Sequence, residues 1–253
     1  MTLKFIIDTS EFEVDAVIFD KDGTLNDSIS VMPEIAKRRV AEIKKIFPEA
    51  KGLEMQLSKT IGLQNDGTID RYSPMMIGSR IETTTAAAVA LYVSGCAKWS
   101  NAVSLAWEAF MKADSSLNAE QKVLLLPGVF DLIKEVNCLA GKVAIATNDV
   151  RASIDKFLYL SDLKKYVHAV ACSDEVNSGK PAPDLVFLAA KRLKVLPQRC
   201  LIVGDSTLDI EMGFAAGVKK TVGVLTGSSS HSDFIGKADF VVRDIRSIRV
   251  LQG

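Results

Sequence analysis

Val14-Asp15-Ala16-Val17-Ile18-Phe19-Asp20-Lys21-Asp22-Gly23-Thr24-Leu25 is the stretch on which the fold turns. Residues 14–19, VDAVIF, form a short apolar, β-branched run, which predicts a strand buried on both faces. The run stops at Asp20 and Asp22 follows two residues later, so two carboxylates leave the strand tip together. Gly23-Thr24 permits a tight exit that points both toward one site. Downstream, KVAIAT (142–147), HAVAC (168–172), CLIVG (200–204), TVGVL (221–225) and ADFVV (238–242) also read as strands, with ADFVV the last. Helical patterns alternate with them at PGVFDLIKEVNCLA (127–140), around 150–159, at PDLVFLAAKRL (183–193) and at LDIEMGFAAG (208–217). Such alternation across short connections predicts an α/β core, a parallel sheet with helices on both faces. LKFII (3–7) is expected as an additional edge strand or hairpin partner.

Between Ser28 and about Asn118 the pattern is helical, with almost no strand signal. VMPEIAKRRVAEIKKIF, LEMQLSKTIG, SRIETTTAAAVALYVSG and NAVSLAWEAFMKA are separated by Gly, Asn and Pro clusters. The expected organisation is therefore a discontinuous core, 1–26 and 120–253, interrupted by an all-helical domain at 27–119. Its least regular stretch, 62–80, holds Arg71 and Arg80 and reads either as a substrate-reading loop or as a solvated connection.

A chain of 253 residues, 48% hydrophobic and 25% charged, has the material for one sizeable core plus a smaller domain. Lys+Arg and Asp+Glu both number 31. Without a global basic field, neither nucleic acid nor an anionic membrane is an expected partner, and an anionic substrate must be drawn by a few local charges. Cys96, Cys138, Cys172 and Cys200 form no CxxC pair and are expected as free, buried or half-buried thiols in a reducing compartment. His168 and His231 lack metal-ligand spacing. Asp8 interrupts the N-terminal apolar run and no small-residue cleavage site follows, which argues against a signal peptide. A soluble cytoplasmic protein is expected, monomeric or homodimeric.

Open α/β sheets bind ligands beyond the carboxyl ends of their strands. Those positions hold Asp20 and Asp22, then Thr147-Asn148, then Asp205 through Asp209, while the loop SGKPAPD (178–184) supplies Lys180. Asp20, Asp22 and Asp205 make a hard oxygen donor set that suits Mg²⁺. Without a cation such carboxylates repel and raise one another's pKa values. In phosphoryl transfer Asp20 can act as nucleophile, and Asp22 can protonate the leaving alcohol and then deprotonate water. Thr147, the Asn148 backbone N–H and Lys180 can hold phosphate oxygens; Asp209 can orient Asp205 or a water on the metal. Each residue alone has a blander reading, as turn, helix cap or surface lysine. Their order along the chain selects the chemistry.

FDKDGTL, the Thr147-Asn148 step, SGKPAPD and GDSTLD (204–209) resemble the four successive motifs of the haloacid dehalogenase superfamily. The helical insert after the first motif resembles the C1 cap of its phosphoglycolate phosphatase-like branch. That resemblance implies a Rossmann-like three-layer core, Mg²⁺ dependence and an aspartyl-phosphate intermediate. It also implies a small-molecule phosphate monoester as substrate, phosphoglycolate- or sugar-phosphate-like. Carried over, Asp20 is the nucleophile, Asp22 the acid/base, Thr147 and Lys180 bind phosphate, and Asp205 ligates metal. An acidic Asp22 separates the chain from the superfamily's dehalogenases and phosphonatases. Lys21 departs from the commoner apolar residue and is assigned no role. Two competing readings are a phosphoglucomutase-like phosphotransferase and a non-catalytic binding protein on the same fold. An idle version should have lost at least one of Asp20, Asp22, Lys180 or Asp205, and all four are present.

Overall fold

A computed structural model describes residues 2–117 and 123–252. They fall into two compact units, Met1–Ser28 with Val123–Gly253, and Ile29–Lys122. The boundary expected between 119 and 120 lies outside the described residues.

The chain opens with β1 (Leu3–Ile7), β2 (Ser10–Val14) and β3 (Ala16–Phe19). Helices α1 (Ser28–Ile46), α2 (Leu53–Ile61), α3 (Pro74–Ile77), α4 (Arg80–Val93) and α5 (Trp99–Leu117) follow. Then come α6 (Val129–Cys138), β4 (Lys142–Thr147), α7 (Arg151–Leu160), β5 (Ala169–Cys172), α8 (Asp184–Leu193) and β6 (Cys200–Gly204). The chain closes with α9 (Thr207–Ala216), β7 (Lys220–Val224), α10 (His231–Phe234), β8 (Phe240–Val242) and β9 (Ile248–Gln252).

Six strands form one parallel sheet in the order β5-β4-β3-β6-β7-β8. Side chains alternate between its faces, as the two-residue period of a strand requires. Val17, Phe19, Val143, Ile145, Leu201 and Val203 join a core that includes residues of α6 and α7. Ala16, Ile18, Ala144, Ala146, Cys200 and Ile202 face the opposite way, into the core that holds α8. Alanines dominate that second face, so the helix packs close to the sheet. This is the expected three-layer α/β/α architecture. Ala36, Leu53, Leu57, Leu91 and Phe110 centre a separate core in the helical unit.

Two expectations about the strands are corrected and a third is narrowed. The run 14–19 is two elements, because at Asp15 the chain passes from the sheet of β2 into that of β3, and Arg199 holds the junction. The Asp15 N–H donates to the Arg199 carbonyl at 2.8 Å, and its carboxylate takes Nε at 3.0 Å and Nη2 at 2.7 Å. Of the two places expected for LKFII, the hairpin is the one found: β1 pairs antiparallel with β2, and β9 on its other side makes it the middle strand of a three-stranded sheet, with Phe5 opposite both Phe12 and Val250. ADFVV is not the last strand. IRVLQ follows it as β9, burying Ile248 and Val250 against β1.

Candidate active site

β3 lies at the centre of the parallel sheet, between β4 and β6, which puts its tip among the tips of its neighbours. The Asp20 N–H donates to the Val203 carbonyl at 2.9 Å, carrying the ladder one residue past the strand. The chain then turns sharply: Leu25 and Asn26 donate to the Lys21 carbonyl at 2.8 and 2.9 Å. Gly23 makes that turn with φ +78, and a Cβ there would lie 2.6 Å from Asp205 Oδ2. Only glycine satisfies both the left-handed backbone and the close approach.

Asp20, Asp205 and Asp209 converge here, each offering an oxygen within 4.8 Å of the others. Lys180 reaches them from the loop before α8. Its Nζ pairs with Asp20 Oδ1 and lies 2.6 Å from Asp209 Oδ1. Asn148 holds that loop in place, its Oδ1 accepting the Lys180 N–H at 3.0 Å. Asp205 is fixed from the far side by Ser228, whose N–H and hydroxyl reach Oδ2 at 2.7 and 3.1 Å. Asp209 accepts from the Ser206 N–H at 3.0 Å and closes a capping box at the start of α9. Thr147 Oγ1 accepts the Asp149 N–H at 3.1 Å, which leaves its own O–H to donate.

Asp22 is placed apart from the trio. Its carboxylate takes Lys21 Nζ at 2.7 Å and Asn26 Nδ2 at 3.2 Å, and a third of its side chain is exposed. The carboxylates that approach one another are thus Asp20, Asp205 and Asp209, whereas the set expected around a metal was Asp20, Asp22 and Asp205.

Charge is concentrated and dry. Burial pushes the Asp20 carboxyl up to about 7; the Lys180 ammonium opposes this, and the Asp209 and Asp22 charges reinforce it. Burial, with Asp20 and Asp209 nearby, drives Asp205 well above the ordinary carboxylate value. For Lys180, burial works against the ammonium but Asp20 and Asp209 outweigh it, so the group is held protonated above its usual value. Once ionised, three acids against one lysine leave an excess of negative charge, and the donors are all hard oxygens. A divalent cation of the Mg²⁺ type fits both features.

Sequence reasoning missed several supporting residues. Lys21, assigned no role, is buried and bridges Asp22 to Asp149 at 2.9 Å. Burial would raise Asp149, but the Lys21 ammonium and the Ser153 hydroxyl outweigh it and bring the carboxyl down to about 2. The loop TGSSS after β7 supplies Gly227 and Ser228, and the strand-tip rule applied to that strand points to them. Elsewhere the structure settles smaller points. His168 Nδ1 accepts the Val143 N–H at 3.2 Å. All four cysteines are free, but Cys138 is exposed rather than buried, because it ends α6 on the side away from the sheet-facing Val136. Arg80 pairs with Asp114 at 2.6 Å inside the helical unit, and Arg71 is exposed. Among the described residues, no helix is long and apolar enough to cross a membrane.

Fold and site together define a Rossmann-like α/β/α protein whose strand tips gather buried carboxylates around one lysine. The chain belongs to the haloacid dehalogenase-like hydrolase family, whose model matches residues 14–217. It is 37% identical over 130 residues to a bifunctional riboflavin kinase/FMN phosphatase of Arabidopsis thaliana, covering 51% of this chain and 34% of that protein. It is 34% identical over 99 residues to phosphoglycolate phosphatase of Escherichia coli K12, covering 39% of each. These matches span well under half of either relative. A predicted phosphoglycolate phosphatase from Haemophilus somnus 129PT superposes with a TM-score of 0.69 at 19% identity, covering 91% of this chain and 94% of that one. Its likeness is one of fold.

Proposed function

We propose that the chain is a Mg²⁺-dependent phosphatase that hydrolyses a small phosphate monoester, phosphoglycolate- or sugar-phosphate-like, through an aspartyl-phosphate on Asp20. The single observation that carries this reading is the buried Asp20 carboxylate, paired with Lys180 beside Asp205 and Asp209. An Asp20 oxygen attacks phosphorus, the ester P–O bond breaks, and the leaving alkoxide takes a proton from Asp22. Water then attacks the same phosphorus and gives its proton to Asp22, and the bond to Asp20 breaks to release phosphate. Lys180 and the Thr147 hydroxyl steady the equatorial oxygens. When bound, the cation offsets the charge of carboxylates and phosphate so that one anion can approach another. Asp20, Asp205 and Asp209 are the side chains offering oxygens to hold it. The helical unit, Ile29–Lys122, is assigned the role of a C1 cap that selects substrate. Four free cysteines suit a reducing, cytoplasmic setting.

Chelation tests the metal. Activity toward phosphorylated metabolites should fall to background in EDTA and return when Mg²⁺ is added in excess; full turnover in chelator would exclude a required cation.

Gly227→Ala tests the geometry of Asp205. A Cβ at residue 227 would sit 1.8 Å from Asp205 Oδ2 and 2.2 Å from its Cγ, so the carboxylate must move. Displacing a supporting contact of this kind typically costs about 10–100-fold in metal affinity or activity. Calorimetric Mg²⁺ titration and kcat/KM should both show it, and unchanged values would mean that Asp205 does not hold the metal.

A further inference from the structure

The helical unit carries an apolar face with no counterpart elsewhere among its described residues. On α4, Ile81, Val89, Tyr92 and Val93 are 70%, 40%, 55% and 67% exposed; on α5, Trp99, Val103, Trp107 and Met111 are 47%, 37%, 37% and 49% exposed. Residues 99, 103, 107 and 111 recur every four positions, so they line one flank of α5. Residues 81, 89, 92 and 93, spaced by eight, three and one, likewise share a flank of α4. The two flanks adjoin: Tyr92 meets Trp99 edge-on, with ring centroids 6.1 Å apart. Both tryptophans of the chain lie here.

From this face we infer that α4 and α5 are the contact surface of a homodimer, two copies packing their α4–α5 pairs about a two-fold axis. Three observations select a second copy as the occupant. The exposed portions of these eight side chains amount to on the order of 900 Å², against ~800 Å² per partner in a stable interface. Two of the nearby charges are already engaged: Glu82 accepts the Ser79 N–H in a capping box, and Lys112 pairs with Glu42 at 3.2 Å. With 31 cationic and 31 anionic side chains, two identical chains meet without net repulsion. An antiparallel helix pair also presents ridges that fit the grooves of an identical pair, and doubling it gives a four-helix layer. Aromatic-rich, charge-poor centres are the mark of such interfaces.

Sedimentation velocity with the full chain, from 0.1 to 100 μM, should show a monomer–dimer equilibrium. Trp99 and Trp107 are the only tryptophans, so their emission should shift to the red on dilution, in step with dissociation. Val103→Glu should weaken the dimer at least 100-fold, and Val93→Lys should do so independently should the first variant fold poorly. Circular dichroism would confirm that each variant is folded. A monomer at 100 μM with concentration-independent emission would overturn the proposal, as would a dimer that survives both substitutions. A monomer whose tryptophans are shielded at every dilution would point instead to this chain's own core as the occupant, and would equally overturn it. None of these outcomes bears on the phosphatase reading, because both positions lie outside the proposed catalytic residues.

Discussion

Asp20→Asn is expected to lower kcat by at least about 10⁴-fold, because an amide cannot attack phosphorus or carry it as an acyl phosphate. The fold should survive, since the side chain is nearly isosteric and its loss removes one of three mutually repelling carboxylates. The pH dependence of stability makes the prediction sharper. A carboxyl that titrates near 3.8 when unfolded and about 7 when folded binds more protons in the native state. Stability of the metal-free protein therefore declines as pH rises through that window, and the charged cluster costs most above it. In Asp20→Asn the decline should become shallower, with Asp205 responsible for what remains. Urea melts between pH 4 and 8, together with phosphate release, check both halves. Substantial residual turnover would refute the nucleophile.

Lys180→Met should produce the largest loss of stability. Lys180 and Asp20 have side chains only 5% and 10% exposed, so removing the ammonium leaves buried carboxylates with no counter-charge. Breaking a buried pair in this way costs about 3–5 kcal/mol. The native ammonium is held above its ordinary pKa, so its contribution is fully present through neutral pH and is lost only in strong alkali. Without the ammonium that holds it down, the Asp20 carboxyl is raised further and keeps its proton more readily, so the defect should shrink as the medium is acidified. Chemical denaturation at pH 5 and pH 8 would show it; equal losses at the two values would mean that Lys180 does not neutralise Asp20. At pH 8 kcat/KM should also drop, by about 10²–10⁴-fold, as a cationic phosphate contact disappears.

What the sequence made legible depended on whether information was local. Continuous apolar runs such as KVAIAT and CLIVG declare buried parallel strands by themselves, and the residues after them declare the site. β9 did not declare itself, because IRVLQ carries charged and amide residues and owes its pairing to β1, more than two hundred positions away. The break at Asp15 was hidden for the same reason: the chain changes sheets there, and the Arg199 that holds the junction is distant in sequence. In the helical unit the helical pattern reads from Val31, yet α1 starts at Ser28 and runs through Pro33, which gives up one i→i−4 hydrogen bond inside the helix. At the site, motif spacing marked Asp20, Lys180 and Asp205. The side-chain direction of Asp22 toward Lys21, and the bridge onward to Asp149, follow from three-dimensional packing and leave no trace in spacing.

The most direct measurement is chemical trapping of the phosphorylated enzyme. Rapid-quench mixing with a phosphate monoester and Mg²⁺, followed by borohydride reduction, converts an aspartyl-phosphate into homoserine. Peptide mass spectrometry should find homoserine at residue 20, absent when substrate is omitted. Unmodified Asp20 during steady turnover, or the label on another residue, would contradict the account.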